Sequence, residues 1–433
     1  MRDYLVALII FGSLPIILTR PYVGVLVWSW IGYMNPHRLG WGFAYDFPFA
    51  YTVAIVTLVA MIMSKEPKRF PITGLTTTWI LFIAWMGLTT AVAFYPADAW
   101  NSYVNILKIQ LMTFATILLM CSRERLQMLL WVIVLSLGFF GVKGGIFTIV
   151  NGGDFHVWGP PGSFIEGNNE LALALLMTLP LMQYLRASSV SKWVRHGLLA
   201  AMVLCAFSIV GSQSRGALVG GLAMAFFLWL KSKHKVVTGA VLIMFIPFLF
   251  IFMPQSWHDR MWTIETYDQD ASAMNRIETW KMALRLANDK VAGGGFELWT
   301  PEIYDRYAPG KATMDAHSIY FKVLGEHGWI GLVLFVGIGI VAWRTASWII
   351  RQAKNRKELA WLSELAGSVQ VSMAAFAGGG TFLGLSYFDL YWHLIAIVVV
   401  GKVLTQQYLV AARSDIAPRR TSVLQNWAVS RDS

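Results

Sequence analysis

Residues 127–150 read QMLLWVIVLSLGFFGVKGGIFTIV, an apolar run in which Lys143 is the one charge. Arg123 and Arg125 precede it, and the turn-rich Asn151-Gly152-Gly153-Asp154 follows. An apolar helix of ~20 residues matches the hydrocarbon thickness of a bilayer, and it satisfies its own backbone polar groups there. The run therefore predicts a membrane-spanning helix. Similar runs recur at 48–63, 76–94, 103–121, 170–186, 197–211, 216–230, 237–254, 328–346, 369–388 and 393–412. Composition agrees, since 56% of the 433 residues are hydrophobic and 14% charged, against about a quarter charged in soluble domains. A water-soluble enzyme is excluded, and so is a membrane barrel of short alternating strands. The expected fold is an all-α polytopic integral membrane protein. The two cysteines, Cys121 and Cys205, lie in or beside apolar runs and imply no redox role.

The net charge of +11 reads as an orientation signal, because basic residues gather in the short cytoplasmic loops of such proteins; a nucleic-acid partner is not expected. Basic loops occur at Lys65–Arg69, Arg123–Arg125, Arg186–Arg195, Lys231–Lys235, Arg351–Lys357 and in the tail at Arg413, Arg419 and Arg420. Residues 4–34 hold two apolar stretches divided by the helix-breaking pair Arg20-Pro21. Charge parity favours one kinked or partly re-entrant crossing there, with the N-terminus inside, which gives about 12 crossings; an outside N-terminus would give 13. The first span lacks a small-residue cleavage site, so no cleaved signal peptide is expected. The expected organisation is N-terminal transmembrane helices over 1–254, a large outer loop over 255–316, C-terminal transmembrane helices over 317–412 and a cytoplasmic tail over 413–433.

The outer loop carries ten acids and seven bases, too long and too mixed for a simple connection. Ile277, Trp280, Leu284 and Ala287 recur in it at helical spacing, with Asp270 or Ser272 available as a cap. This predicts an amphipathic helix over 273–288 that could roof a cavity at the membrane surface.

Candidate chemistry concentrates near the outer face. Arg215, in Ser212-Gln213-Ser214-Arg215-Gly216, separates two apolar helices; it is either a snorkelling anchor or a clamp whose planar guanidinium holds phosphate oxygens bidentately. Arg276 opens the loop helix, where free N–H groups also favour an anion, or it is a solvated charge paired with an acid such as Glu278. Arg260, after Trp257-His258-Asp259, is an anchor or a weaker contributor. Lys143 is a cation at membrane depth, a functional-site hypothesis by default, and Lys108 resembles it one span earlier. His317, in Asp315-Ala316-His317-Ser318, stands where the loop re-enters the membrane, and its side chain titrates in the range that suits general-base work. Glu326 is nine residues further along. In a continuous helix that is two and a half turns, so it faces away from His317 and packs the Glu326-His327-Gly328 bend. What orients His317 stays open. The histidines form no i, i+4 pair and there is no cysteine cluster, so no metal is expected. Asp268-Gln269-Asp270 reads as loop or capping acids rather than a cation site, and neither a nucleophile elbow nor a Walker or dinucleotide fingerprint occurs.

Taken in order, Ser214-Arg215-Gly216, Asn275-Arg276 with Trp280 and Ala283, Gly293-Gly294-Gly295-Phe296, Ala316-His317-Ser318 and Gly325-Glu326-x-Gly328-x-x-Gly331 resemble the O-antigen ligase and polymerase superfamily. Asn35-Pro36-His37-Arg38, Lys143-Gly144-Gly145 and Val157-Trp158-Gly159-Pro160 look like its exosortase-associated O-glycosylation ligase branch. Ser318 departs from the asparagine that follows the histidine in many relatives. The resemblance implies a GT-C-like glycosyltransferase of the bacterial inner membrane, its site facing the periplasm, with no cofactor and no metal. It implies an undecaprenyl-diphosphate-linked glycan as donor and, for the ligases, a sugar hydroxyl of the lipid A core as acceptor. Carried over, Arg215 and Arg276 bind the diphosphate, Arg260 and Lys143 contribute less, and His317 is the base of an inverting single displacement. An O-antigen polymerase or a protein O-oligosaccharyltransferase would share these features. A lipid-linked-sugar transporter is the reading from another class; no inverted repeat supports it.

Overall fold

The computed structural model describes residues 1–232, 234–255, 257–258 and 271–416. Among these residues the chain is helical, without a strand. The helices are α1 (Arg2–Thr19), α2 (Pro21–Met34), α3 (Phe49–Met63), α4 (Gly74–Ala91), α5 (Pro96–Leu119), α6 (Arg123–Val150), α7 (Asn168–Ser188), α8 (Lys192–Gly211), α9 (Arg215–Lys231) and α10 (Lys235–Phe252). After them come α11 (Ala271–Asp289), α12 (Pro301–Tyr307), α13 (Ile319–Ala353), α14 (Ala360–Gly379) and α15 (Asp389–Ile416). Eight of these helices are long and apolar enough to cross a membrane. Of the other expected crossings, 48–63 and 216–230 fall on the shorter helices α3 and α9 and 237–254 falls on α10, whereas 369–388 is displaced, since α14 ends at Gly379 and residues 380–388 are not α-helical.

Residues 4–34 do not form one kinked rod. The chain breaks at Arg20 (φ −135°, ψ 79°), Pro21 opens α2, and the Gly42 amide donates to Asp3 Oδ1 at 3.1 Å. The start of α1 thus lies beside the residues that follow α2, so the two helices are an antiparallel hairpin. The physical reason is the proline: it cannot continue α1 but is favoured in the first turn of a new helix.

The bundle is organised around α7, the most enclosed of the long helices, which packs on α8, α9 and α14. Beside it α6 and α8 approach until a Cβ at Gly145 would lie 2.1 Å from the Leu204 carbonyl oxygen. Only glycine permits that contact. Gly141 and Gly144 sit on the same face, against Cys205 and Ser208. The Arg125 guanidinium holds Glu66 through two hydrogen bonds of 2.8 Å, tying the α3–α4 connection to α6.

The element that positions the rest is α13, which is helical on both sides of a break at Gly328 (φ 66°, ψ −169°). These torsions belong to glycine alone. The three carbonyls before the break find partners outside the helix: Gly325 accepts from the Gly294 amide at 2.8 Å, Glu326 from the Gly295 amide at 2.9 Å and His327 from Trp85 Nε1 at 2.8 Å. The glycine run of the outer loop is thereby a strap across the break, continued by a bond of 2.9 Å from the Phe94 amide to the Gly294 carbonyl. A Cβ at Gly328 would meet the Val291 carbonyl oxygen at 2.0 Å. Gly328→Ala is therefore expected to destabilise the protein by at least about 1–3 kcal/mol, whereas Gly337→Ala on the same helix, where a Cβ meets only Thr78 Cγ2 at an ordinary contact distance of 3.9 Å, should be neutral. Thermal unfolding of the two detergent-purified variants checks this.

Candidate functional site

The loop helix α11 begins at Ala271, two residues earlier than expected. Ser272 is therefore inside the helix, while Asp268 and Asp270 fall outside the described residues. Arg276 stands in the second turn, past the free N–H groups, so the helix end does not assist it as an anion site. The buried face is turned slightly from the expected stripe: Thr279, Met282, Ala283, Leu286 and Ala287 are enclosed, packed with Leu298, Ile303 and Tyr304 of the residues that follow.

Helix α11 lies alongside the first turns of α13 and runs in the same direction. Trp280 stacks on Phe321 with ring centroids 4.9 Å apart and 8° between planes, and Trp329 Nε1 donates to Asn288 Oδ1 at 2.9 Å. Trp280 Nε1 also donates to the Ala316 carbonyl at 2.8 Å. Tyr304 Oη donates to the Met314 carbonyl at 2.8 Å, and Ser386 Oγ to the Ile319 carbonyl at 3.1 Å. The segment 314–319 is thus held from three sides, by α11, by α12 and by the turn between α14 and α15. His317 sits half-buried at its tip with φ 44°, a left-handed conformation uncommon outside glycine. The Ser318 hydroxyl next to it is fully enclosed, and no described residue hydrogen-bonds to it.

Burial pushes the His317 imidazole below its ordinary value. The Asp315 carboxylate opposes that shift, and the cations Arg276 and Lys322 add to it. The neutral, proton-accepting ring is the form present at pH 7. Arg276 is within electrostatic reach of both His317 and Glu170 at the start of α7. Arg215 is the first residue of α9, whose cap is Ser214 Oγ accepting from the Ala217 amide at 3.1 Å. The turn before it is fixed by Asn168 Nδ2 donating to the Ser212 carbonyl at 2.8 Å and by Gln213 Nε2 donating to the Gly153 carbonyl at 3.0 Å. Phe382 links this corner to the loop helix, lying 5.9 Å from Trp280 and against Gly216.

The structure therefore brings Arg276 and His317 together, with Arg215 on the adjoining corner. Lys143 does not join them: it is exposed, on the face of α6 opposite the glycines that pack on α8, because a residue one or two positions from that stripe projects the other way. Lys108 is also exposed and donates to Asn105 Oδ1 at 3.0 Å. Arg260 lies outside the described residues. Glu326 makes no hydrogen bond to His317, which lies before the helix and not in it, yet Lys322 joins it to the site: Lys322 Nζ is 2.7 Å from Asp315 Oδ1 and 3.9 Å from Glu326 Oε1. Sequence reasoning did not single out Asp315 or Lys322. The available signal was a lysine and a glutamate four residues apart at the head of an apolar helix.

Beside the site, α9, α13, α14 and α15 enclose an apolar groove of about 500 Å³. It starts at Ile319 and Tyr320, next to His317, and runs past Phe227, Phe335 and Met373 to Trp343.

Fold and site together define a polytopic helical membrane protein with a cationic, histidine-bearing centre at one end of the bundle. Residues 200–336 match the family described as O-Antigen ligase, and residues 1–190 match a family of unknown function, DUF5935. Arg215, Arg276, the glycine strap, His317 and Glu326 all fall within the first of these matches, which supports the O-antigen ligase and polymerase superfamily and with it a glycosyltransferase-like activity on a lipid-linked glycan. No curated protein matches the chain. Were His317 to act as a base, activity would fall as pH drops through its pKa, with the acid limb of kcat/KM centred below the ordinary histidine value of about 6.5; a pH series on the purified protein measures this.

Proposed function

We propose that the chain is an O-antigen ligase of the bacterial inner membrane. It transfers a polysaccharide from undecaprenyl diphosphate to a sugar hydroxyl of the lipid A core on the periplasmic side. The observation that carries this reading is the position of His317, half-buried, within electrostatic reach of Arg276 and next to the apolar groove that begins at Ile319. The groove accommodates polyprenyl tail, which leaves the diphosphate at the level of Arg276 and Arg215. Charge accumulates on that diphosphate as the glycosidic bond breaks, so fixed guanidinium groups stabilise the transition state more than the ground state. His317 removes the proton of the acceptor hydroxyl as its oxygen attacks the anomeric carbon from the opposite face. One base suffices for this inverting displacement, since diphosphate departs without protonation. Following the family resemblance, the reaction is metal-independent. Arg260 stays as a weaker contact of the donor, and Lys143, on the far face of α6, is assigned none.

The test is His317→Ala in the native cell, with membrane abundance confirmed, followed by analysis of lipopolysaccharide and of the undecaprenyl-linked pool. The ligase reading predicts loss of long glycan from the lipid A core and accumulation of finished polymer on undecaprenyl diphosphate. Single repeat units still reaching the core would instead identify a polymerase, and an unchanged pattern would overturn the assignment of His317. Arg276→Ala should lower turnover in vitro about 10²–10³-fold, the usual cost of losing one preorganised charge-stabilising group. Arg276→Lys should restore only part of it, because an ammonium cannot reproduce the bidentate fork.

A further inference from the structure

A row of charges behind His317 is not used by the transfer step as written. Lys322 bridges Asp315 and Glu326 at 2.7 and 3.9 Å. Glu326, almost fully buried, accepts from Tyr387 Oη at 2.6 Å and from Trp299 Nε1 at 3.3 Å. Tyr387 Oη is in turn 2.8 Å from His327 Nε2, and His327 Nδ1 is 2.7 Å from Thr89 Oγ1. At its outer end the row reaches the base itself, where Asp315 Oδ2 accepts from the His317 backbone amide at 3.4 Å. The desolvation of such groups usually outweighs their mutual attraction, and apolar residues of similar size would pack at less cost. Their presence points to a task for the charge.

We propose that Asp315 is the positioning carboxylate of the site, anchored through Lys322 on Glu326, and that it fixes the left-handed His317 turn and stabilises the imidazolium formed during transfer. This inference rests on His317 being the base. In the step, the acceptor hydroxyl gives its proton to a His317 ring nitrogen while its oxygen bonds to the anomeric carbon. The bond from that carbon to the diphosphate oxygen breaks, and its electron pair leaves with the diphosphate. His317 thus gains a positive charge in a cationic neighbourhood. Arg276 from α11 and Lys322 from α13 repel it, and among the described residues Asp315 is the charge that favours it. Glu170 from α7 acts on Arg276 and Asp315, and Glu326 is within reach of Asp315. The arrangement is the familiar base-plus-orienting-carboxylate logic, here delivered through the backbone turn and the field.

The experiment is the pH dependence of kcat/KM for full-length protein in nanodiscs, with a short-chain polyprenyl-diphosphate glycan as donor and lipid A core as acceptor. Wild type, His317→Ala, Asp315→Asn, Asp315→Glu and Lys322→Met are compared, each first checked for a monodisperse, cooperatively unfolding sample. Asp315→Asn should lower the plateau roughly ten- to hundredfold, the value of one charge-assisted hydrogen bond, and move the acid limb to lower pH. Lys322→Met should move the limb to higher pH, and Asp315→Glu should keep it near the wild-type position. Opposite limb shifts support the proposal, because a merely structural role lowers the plateau without moving the limb. An inactive His317→Ala with unmoved limbs in Asp315→Asn and Lys322→Met overturns the proposal and leaves the function standing. Full activity in His317→Ala overturns both.

Discussion

The structure depends on a broken helix whose lost backbone hydrogen bonds are made good by another part of the chain. A helix interrupted inside a packed bundle cannot leave buried carbonyl groups bare, since an unpaired buried polar group costs free energy comparable to a lost hydrogen bond. In α13 the carbonyls of Gly325, Glu326 and His327 are taken up by the amides of Gly294 and Gly295 and by Trp85. Both partners of the strap must be glycine-rich because the backbones run too close for a Cβ on either side. This lock registers the outer loop on the membrane bundle. Once residues 293–295 are fixed at the break, α11 lies beside the head of α13, and Trp280 and Arg276 arrive over residues 315–317.

The same break turns polar side chains into the bundle. Glu326 and His327 precede Gly328 and are both enclosed, joined through Tyr387. Ionisable groups so fully buried are costly and point to a functional site. Here their alignment leads outward through Lys322 to Asp315 and the His317 turn, so the backbone lock and the chemistry share one short stretch of α13. The apolar groove begins at the same place, at Ile319 and Tyr320. A lipid-borne diphosphate seated in that groove would meet the cations where its own charge grows.

Much of this was legible in the residues. Hydropathy located long apolar runs, and eight of the described helices are long and apolar enough to cross a membrane; the order of Arg215, Arg276, the glycine run and His317 resembled the O-antigen ligase superfamily, whose family model matches residues 200–336. The helical spacing of His317 and Glu326 did not apply, because the helix begins at Ile319 and His317 sits in a left-handed turn before it. Other features depend on contacts between distant segments. The α1–α2 hairpin turns on Asp3 meeting Gly42, a pairing that loop-charge parity does not register. The strap's role could not be read from three glycines, since its partners lie some thirty residues downstream. Asp315 was passed over as a loop acid because its significance comes from Lys322, one helical turn into α13. Lys143 drew attention as a charge at membrane depth, but depth says nothing about which face of α6 it occupies.

The central claim is that the lock at Gly328 holds His317 and Arg276 where the donor's diphosphate sits. A structure of the protein in nanodiscs with undecaprenyl diphosphate tests it most directly. The account predicts the diphosphate between Arg215 and Arg276, with the His317 ring facing its outer oxygen and the polyprenyl chain along Ile319, Tyr320 and Phe335. A diphosphate bound away from His317, with that groove holding only bulk lipid, would contradict it.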